Sequence, residues 1–366
     1  MTDAAAERVG VRHLVELARR PRPAGSTAES DARTYARRTL EELGFVVREE
    51  LFDYSAFPGY YATPLGGGLC ALAIVIASGT ALNGGSVATS SAILVLTVAI
   101  VVLYARWMTR RGVLDFPFMR RNGVNLVATR DGNVPKVWLV AHLDSKSQPV
   151  PSAFRIGGIA LLVLALVIAA TAALLTLAAV PTRMLWWAAI AAATAGALPV
   201  IASVVGTASD GAVDNASGAA VVLAAAARLS RDAACGVLMP SAEELGLAGA
   251  RAWARAHPAS IAINCDGVDD EGELMIMHNH RVPQNVVLAV RDASSRSVRV
   301  RRMPLGLLTD STALSDAGWN AVTVSVGSLA TLRRVHTTRD SLAAMRGTSI
   351  DDVSVILARA AEALAS

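Results

Sequence analysis

The stretch "KVWLVAHLDSKSQPVPSAFRIGGIALLVLALVIAATAALLTLAAV", residues 136–180, joins two kinds of chain. It opens as a short apolar, β-branched run suited to a buried strand and ended by His142. From 156 to 180 it has no charged side chain and is long enough to cross a bilayer, which takes ~20 apolar residues. A strand capped by polar side chains that soon gives way to a membrane-length helix predicts an α/β domain interrupted by hydrophobic insertions.

Downstream, "PTR" at 181–183 makes a turn and 184–205 is again uncharged, completing a helical hairpin. Upstream, no charge occurs between Asp53 and Arg106, and "NGGS" at 83–86 divides that interval into apolar runs at 61–82 and 88–104. Tyr60, Tyr61, Tyr104, Trp107, Trp186 and Trp187 fall near the predicted span ends, where amphipathic rings prefer to sit. Four crossings return the chain to its starting side. The expected organisation is therefore one domain built from segments 1–59, 108–155 and 206–366, with transmembrane hairpins at 60–107 and 156–205. Arg106, Arg110, Arg111, Arg120, Arg121 and Arg155 flank the spans on the domain side, against Arg183 alone opposite, which predicts a cell-membrane protein whose polar domain faces the cytoplasm. The spans hold no Asp, Glu, Lys, Arg or His, so anchorage in the lipid bilayer is a simpler role for them than a transport or scaffold module with a regulatory domain.

Composition agrees with a membrane protein. Hydrophobic residues make up 53% and charged residues 17%, below the ~25% charged content of soluble domains. The net charge of +4 comes mainly from arginines that form no tract with interleaved aromatics, so no nucleic-acid partner is expected. Cys70, Cys235 and Cys265 share no CxxC spacing, which argues against a disulfide framework or a thiolate zinc site. The charged, periodic N-terminus does not read as a cleaved secretion signal.

The polar segments alternate strand and helix. Strands are predicted at 136–142, 236–244, 260–266 and 320–326, and helices at 216–230, 246–257 and 349–365. This pattern predicts a three-layer α/β/α domain. Ligand-type side chains stand where these strands end: His142, the adjacent Glu243 and Glu244, and Asp266. Such ends line the crevice of an open α/β sheet. Asp214 precedes a helix and His336 follows the last strand. Two imidazoles and several carboxylates suit zinc or a related divalent ion. Taken singly each has a plainer reading: the glutamate pair as macrodipole complementarity at a helix start, "DNASG" as a helix cap, and a lone His or Asp as structural.

Taken in order, "AHLDS" (141–145), "GAVDNASGAAVVL" (211–223), "SAEELGLAGA" (241–250), "INCDG" (263–267) and "VHTTRDSL" (335–342) resemble metallopeptidase family 28, the di-zinc aminopeptidases. The likeness extends weakly to 20–45, similar to the family's opening helix, and omits the four apolar helices. It implies a zinc-exopeptidase-like fold with a mixed central sheet. It further implies two zinc ions, with His142 and Asp266 on one, Glu244 and His336 on the other, and Asp214 bridging. Asp144 resembles the carboxylate that fixes the His142 tautomer, and Glu243 the general base. The resemblance also implies a peptide substrate, hydrolysed at its N-terminal residue by a water bridging two ions ~3.5–4 Å apart; the same scaffold serves carboxypeptidases and glutaminyl cyclases. Because the second hairpin begins soon after His142, the crevice is expected to open near the bilayer and to favour apolar or membrane-associated peptides.

Other residues read more plainly. His278 and His280 in "MHNH" are expected in a loop lining or lying outside the crevice, and Cys265 as a small buried residue. Asp310 resembles the family's SDH segment, with Ser311 where His is usual. Asp340 is expected to support His336, and Lys146, one of only two lysines, to be an exposed surface charge.

Overall fold

A computed structural model describes residues 9–130, 134–304 and 306–366. The first eight residues of the expected segment 1–59 and residues 131–133 of segment 108–155 lie outside the described residues. In chain order the elements are α1 (Val9–Leu17), α2 (Thr27–Glu42), β1 (Val46–Ser55), α3 (Thr63–Leu82), α4 (Val87–Trp107) and the single turn α5 (Val113–Asp115). Next come β2 (Arg120–Thr129), β3 (Val137–Val140), α6 (Ser152–Leu177), α7 (Arg183–Ile201), α8 (Gly218–Ala226), β4 (Cys235–Met239) and α9 (Ala248–Ala256). The chain continues through β5 (Ile261–Val268), β6 (Glu273–His278), α10 (Gln284–Ala293), β7 (Val298–Arg302), α11 (Asp310–Asp316), β8 (Asn320–Gly327), α12 (Leu329–Arg334) and α13 (Ile350–Ala365).

The strands form one mixed sheet in the order β1-β2-β4-β3-β5-β8-β6-β7. Its centre, β4-β3-β5-β8, is parallel. β1 and β2 add to one side antiparallel, and β6 reverses direction on the other. The parallel strands are apolar on both faces because helices cover both. Val137 and Leu139 point into a core shared with α1, α2, α8, α10 and α13, while Trp138 and Val140 join Trp253 of α9 and Leu314 of α11 on the opposite face. Trp253 stacks edge-on to Trp138, with ring centroids 4.7 Å apart. Sequence alternation did not reveal β1, β2, β6 or β7. β7 is Arg-rich and partly exposed, and β1 and β2 carry polar residues along much of their length.

Four helices, α3, α4, α6 and α7, are long and apolar enough to cross a membrane. They pack through small residues: a Cβ on Gly158 would lie 2.7 Å from the Gly196 carbonyl oxygen, and one on Gly196 would lie 2.8 Å from that of Gly158. Close backbone approach of this kind is how helices associate in lipid. Their outer faces leave Leu69, Leu72, Ile76, Leu96, Ile100 and Leu103 exposed. Helix α6 starts a turn earlier than the uncharged interval suggests, because Arg155 sits inside its first turns with its guanidinium buried against the polar domain.

The bases of both hairpins meet the polar domain at one place. A Cβ at Gly59, before α3, would strike the backbone of Leu245. Tyr60 and Val205 pack with Ala242, Leu245 and Ala248 in one apolar cluster. The loop carrying the paired glutamates is thus wedged between the sheet and the feet of the apolar helices.

Candidate metal centre

His142 lies two residues past β3, Glu243 and Glu244 follow β4, and Asp266 lies near the end of β5, so three adjacent parallel strands deliver them to one sheet edge. Asp214 comes from the irregular segment before α8, and His336 from the turn after α12. Asn215 fixes the Asp214 segment to β5. Its Nδ2 donates to the Cys265 carbonyl at 2.9 Å, and its Oδ1 accepts from Gly218 N at 3.0 Å and Gly267 N at 3.3 Å. Gly218 is obligatory there, since a Cβ would run into Asn215 and the Cys265 carbonyl. Ser217 Oγ adds a bond to Val213 O at 2.7 Å and accepts from Val268 N at 2.8 Å. Local folding thus explains why "DNASG" stands as a unit.

The two carboxylate oxygens of Asp214 face different imidazoles. Oδ1 is 3.3 Å from His142 Nε2, and Oδ2 is 2.9 Å from His336 Nε2. Asp266 Oδ1 lies 3.9 Å from His142 Nε2, and Glu244 Oε2 lies 3.5 Å from His336 Nε2. Two ligand groups result, His142–Asp214–Asp266 and Asp214–Glu244–His336, each with donor atoms within 4.8 Å of one another. Among the described residues, the buried His142 Nε2 and Glu244 Oε1 have no hydrogen-bond partner. Buried polar atoms left unpaired are costly, so a donor set converging on open lone pairs fits a divalent cation. Glu243 Oε2 stands 3.9 Å from His142 Nε2, outside both groups. The structure therefore brings together all six residues singled out from the sequence.

Asp144 does more than expected. Its backbone carbonyl is 3.0 Å from His142 Nδ1, while its carboxylate is 3.5 Å from that nitrogen. The carboxylate oxygens accept from the backbone N–H of Glu243 and Glu244, each at 3.1 Å. The carbonyl is thus the nearer partner of the His142 ring, and the side chain anchors the glutamate turn. That turn is not a helix start: Ala242 and Leu247 adopt left-handed backbone, φ 56° and 63°, before α9 begins. His336 is also left-handed, at φ 64°. Three strained non-glycine residues at one site mark a geometry imposed by its surroundings.

Two sequence expectations are corrected. Lys146 is not a surface charge: its side chain is 13% exposed and its Nζ lies 2.6 Å from Glu244 Oε2. The segment after His142 folds back over the site, which a single polar letter in a loop does not reveal. Asp340 does not hold His336. Its carboxylate accepts from Val213 N at 2.7 Å and Asp214 N at 3.1 Å, because the turn after His336 carries it under the Asp214 segment. The partner of His336 is Ser152, in the first turn of α6, with Oγ 2.8 Å from Nδ1. Gln148 N also donates to the His336 carbonyl at 2.6 Å.

Arg22 was another residue without a sequence signal. Fully buried, it donates to the carbonyls of Leu143 at 2.9 Å, Asp210 at 2.7 Å and Gly211 at 3.1 Å, tying the His142 loop to the Asp214 loop. His278 ends β6, and His280 pairs with Asp316 at 3.1 Å; neither belongs to a ligand group. Asp310, at the start of α11, is fully buried with both carboxylate oxygens unpaired among the described residues.

Electrostatics separate the acids. Burial pushes Glu243 well above the usual carboxylate range, against the pull of His142 and with help from Glu244 and Asp310. Burial works upward on Glu244 too, but Lys146 and His336 overcome it and hold the carboxyl down at about 2. Asp310 is pushed up to about 7 by burial, with His142 pulling downward and Asp144 and Glu244 repelling it. Burial thus prevails at Glu243 and the neighbouring cations prevail at Glu244, so two adjacent carboxyls are shifted in opposite directions.

A mixed α/β sheet presenting imidazoles and carboxylates at the carboxyl ends of parallel strands makes a candidate divalent-metal site. The chain belongs to Peptidase family M28, whose profile matches residues 125–361. Its fold is similar to an aminopeptidase from Aneurinibacillus sp. strain AM-1, with a TM-score of 0.56 and 15% identity over 96% of this chain and 92% of that one. It is similar also to the zinc aminopeptidase BSAP from Bacillus subtilis, with a TM-score of 0.54 and 14% identity over 96% and 93%. The glutaminyl cyclase of Fimbriiglobus ruber gives a TM-score of 0.55 and 14% identity over 99% and 97%. No curated protein matches the chain in sequence.

Proposed function

We propose that this chain is a membrane-anchored, zinc-dependent exopeptidase that removes N-terminal residues from peptides, with its catalytic domain on the cytoplasmic face. The observation that carries the reading is the split of Asp214 between His142 and His336, with Asp266 and Glu244 completing two ligand groups and Glu243 beside them. His142, Asp214 and Asp266 would hold one zinc ion, and Asp214, Glu244 and His336 a second. When bound, the ions supply Lewis acidity that makes water a nucleophile at neutral pH and stabilises developing oxyanion charge. Glu243 takes the proton from the attacking water and passes it to the leaving amine. Asp144 keeps Glu243 and Glu244 in register through their amides, so base and ligand cannot shift independently. Asp340 does the same for Asp214.

Anchorage is supported by four bilayer-length helices, with residues at the bases of both hairpins packed on the glutamate turn. A crevice at that height would receive apolar or membrane-associated peptides. Deletion of 156–205 should therefore change substrate preference, and a folded deletion variant with unchanged preference would contradict this. The test of the activity is hydrolysis of aminoacyl-anilides by purified protein. Chelator-sensitive release with about two equivalents of zinc supports the reading; a metal-free, inert protein favours a transport or scaffold module.

A second reading, cyclisation of N-terminal glutamine, is favoured by the similarity in fold to the glutaminyl cyclases of Fimbriiglobus ruber and Bacteroides thetaiotaomicron. A peptide starting with Gln separates the two, since cyclisation releases ammonia and leaves the chain length unchanged.

A further inference from the structure

Lys146 stands two residues past Asp144, on the segment that leads from β3 into α6. Its Nζ and the His336 imidazole approach the same oxygen, Glu244 Oε2, at 2.6 Å and 3.5 Å. Arg155 adds a second buried cation. Its Nη1 donates to Gln148 Oε1 at 3.1 Å, and its charge is felt at Glu244, Asp214 and Glu243. The neighbouring group is different. His142 Nε2 lies 3.3 Å from Asp214, 3.9 Å from Glu243 and 3.9 Å from Asp266, all carboxylates. One ligand group is therefore set among acids, while the other shares its glutamate with an ammonium. Repulsion between like charges rises steeply at short range and is strongest where water is excluded. A divalent ion at the second group works directly against Lys146, and one at the first group, whose ligands Lys146 does not touch, does so less.

We infer that Lys146 makes the two metal positions unequal, so that the His142–Asp214–Asp266 position fills first and the Asp214–Glu244–His336 position fills only at higher free metal. This rests on the two-ion reading of the site and not on the peptidase reaction. Lys146 is a tuning residue, acting on the ion through Glu244, and the free zinc concentration then sets the fraction of protein carrying both ions.

The experiment is a zinc titration of full-length, metal-stripped protein in detergent micelles, followed calorimetrically, for the wild type, Lys146→Met and Lys146→Arg. The wild type should load in two steps. Lys146→Met should tighten the second step at least tenfold and the first step clearly less, since it removes the like charge nearest the second position. Lys146→Arg retains the charge and should keep the wild-type separation, which a merely steric role for the lysine would not require. Equal steps in the wild type, an unchanged second step in Lys146→Met, or a Lys146→Arg variant that behaves like Lys146→Met would each overturn the inference. Binding of a single ion by all three proteins would overturn it together with the two-ion reading, while anilide hydrolysis by that one-ion protein would leave the peptidase reading standing.

Discussion

Ser152 Oγ lies 2.8 Å from Nδ1 of His336, so the first turn of a membrane-length helix holds an imidazole of the candidate metal centre. For the Nε2 lone pair to bind a metal, Nδ1 must carry the proton, and Nδ1–H then donates a hydrogen bond to Ser152 Oγ. Partners of this kind fix the ring and are worth about 10–100-fold in metal affinity. Ser152→Ala should lower zinc affinity at the His336 position by about that factor, as read by competition with a chromogenic chelator, and Ser152→Thr should restore it. Unchanged affinity in Ser152→Ala would show that the hairpin is only an anchor.

Glu243 Oε2 lies 3.9 Å from Nε2 of His142 without belonging to either ligand group. Glu243→Gln should keep its zinc and lose about 10²–10⁴-fold in kcat. Asp214→Ala, in contrast, should lose the metal. Zinc content and kcat measured on the same preparations check both outcomes, and near-normal hydrolysis by Glu243→Gln would remove it as the base.

Asp340 holds two buried amides, those of Val213 and Asp214. Truncation to Ala would leave both without their acceptor, at about 1–3 kcal/mol each. Asp340→Ala should lower the melting temperature and weaken zinc binding. Asp340→Asn retains one acceptor oxygen and should fall between it and the wild type. A destabilised Asp340→Ala variant with undiminished zinc affinity would confine the residue to folding.

His13 offers a test of stability away from the metal. It is buried in α1 with Nδ1 2.7 Å from the Tyr35 hydroxyl, and burial, helped by Arg12 and opposed by Asp351, lowers its pKa to about 4. The unfolded chain binds a proton that the folded chain refuses between the ordinary His pKa of about 6.5 and 4, so this stability is present above 6.5 and is lost as pH falls toward 4. At pH 5 the loss relative to pH 7 is about 2 kcal/mol. Melting temperature followed from pH 7 to pH 5 should fall more for the wild type than for His13→Gln; parallel curves would contradict the assignment.

The parallel core was legible because β3, β4, β5 and β8 are apolar runs, the first three with ligand-type side chains at or just past their ends, and the membrane-length helices because charge is absent over most of their length. The edge strands were not, since a half-exposed strand such as β7, "VRVRR", offers only two apolar residues, Val298 and Val300, on which to read a period. At the site, the ligands were readable from their order along the chain. Their supports were not: Arg22, Lys146, Ser152 and Arg155 touch the centre only after the chain folds back from segments that carry no local pattern. Lys146 and Asp340 were misplaced for the same reason, because loop residues receive their partners from tertiary structure.

The account centres on two metal ions sharing Asp214, and zinc-edge anomalous scattering from crystals grown with zinc tests it most directly. Two peaks are predicted, one among His142, Asp214 and Asp266 and the other among Asp214, Glu244 and His336. Zinc bound elsewhere, or no peak on Asp214, would contradict it.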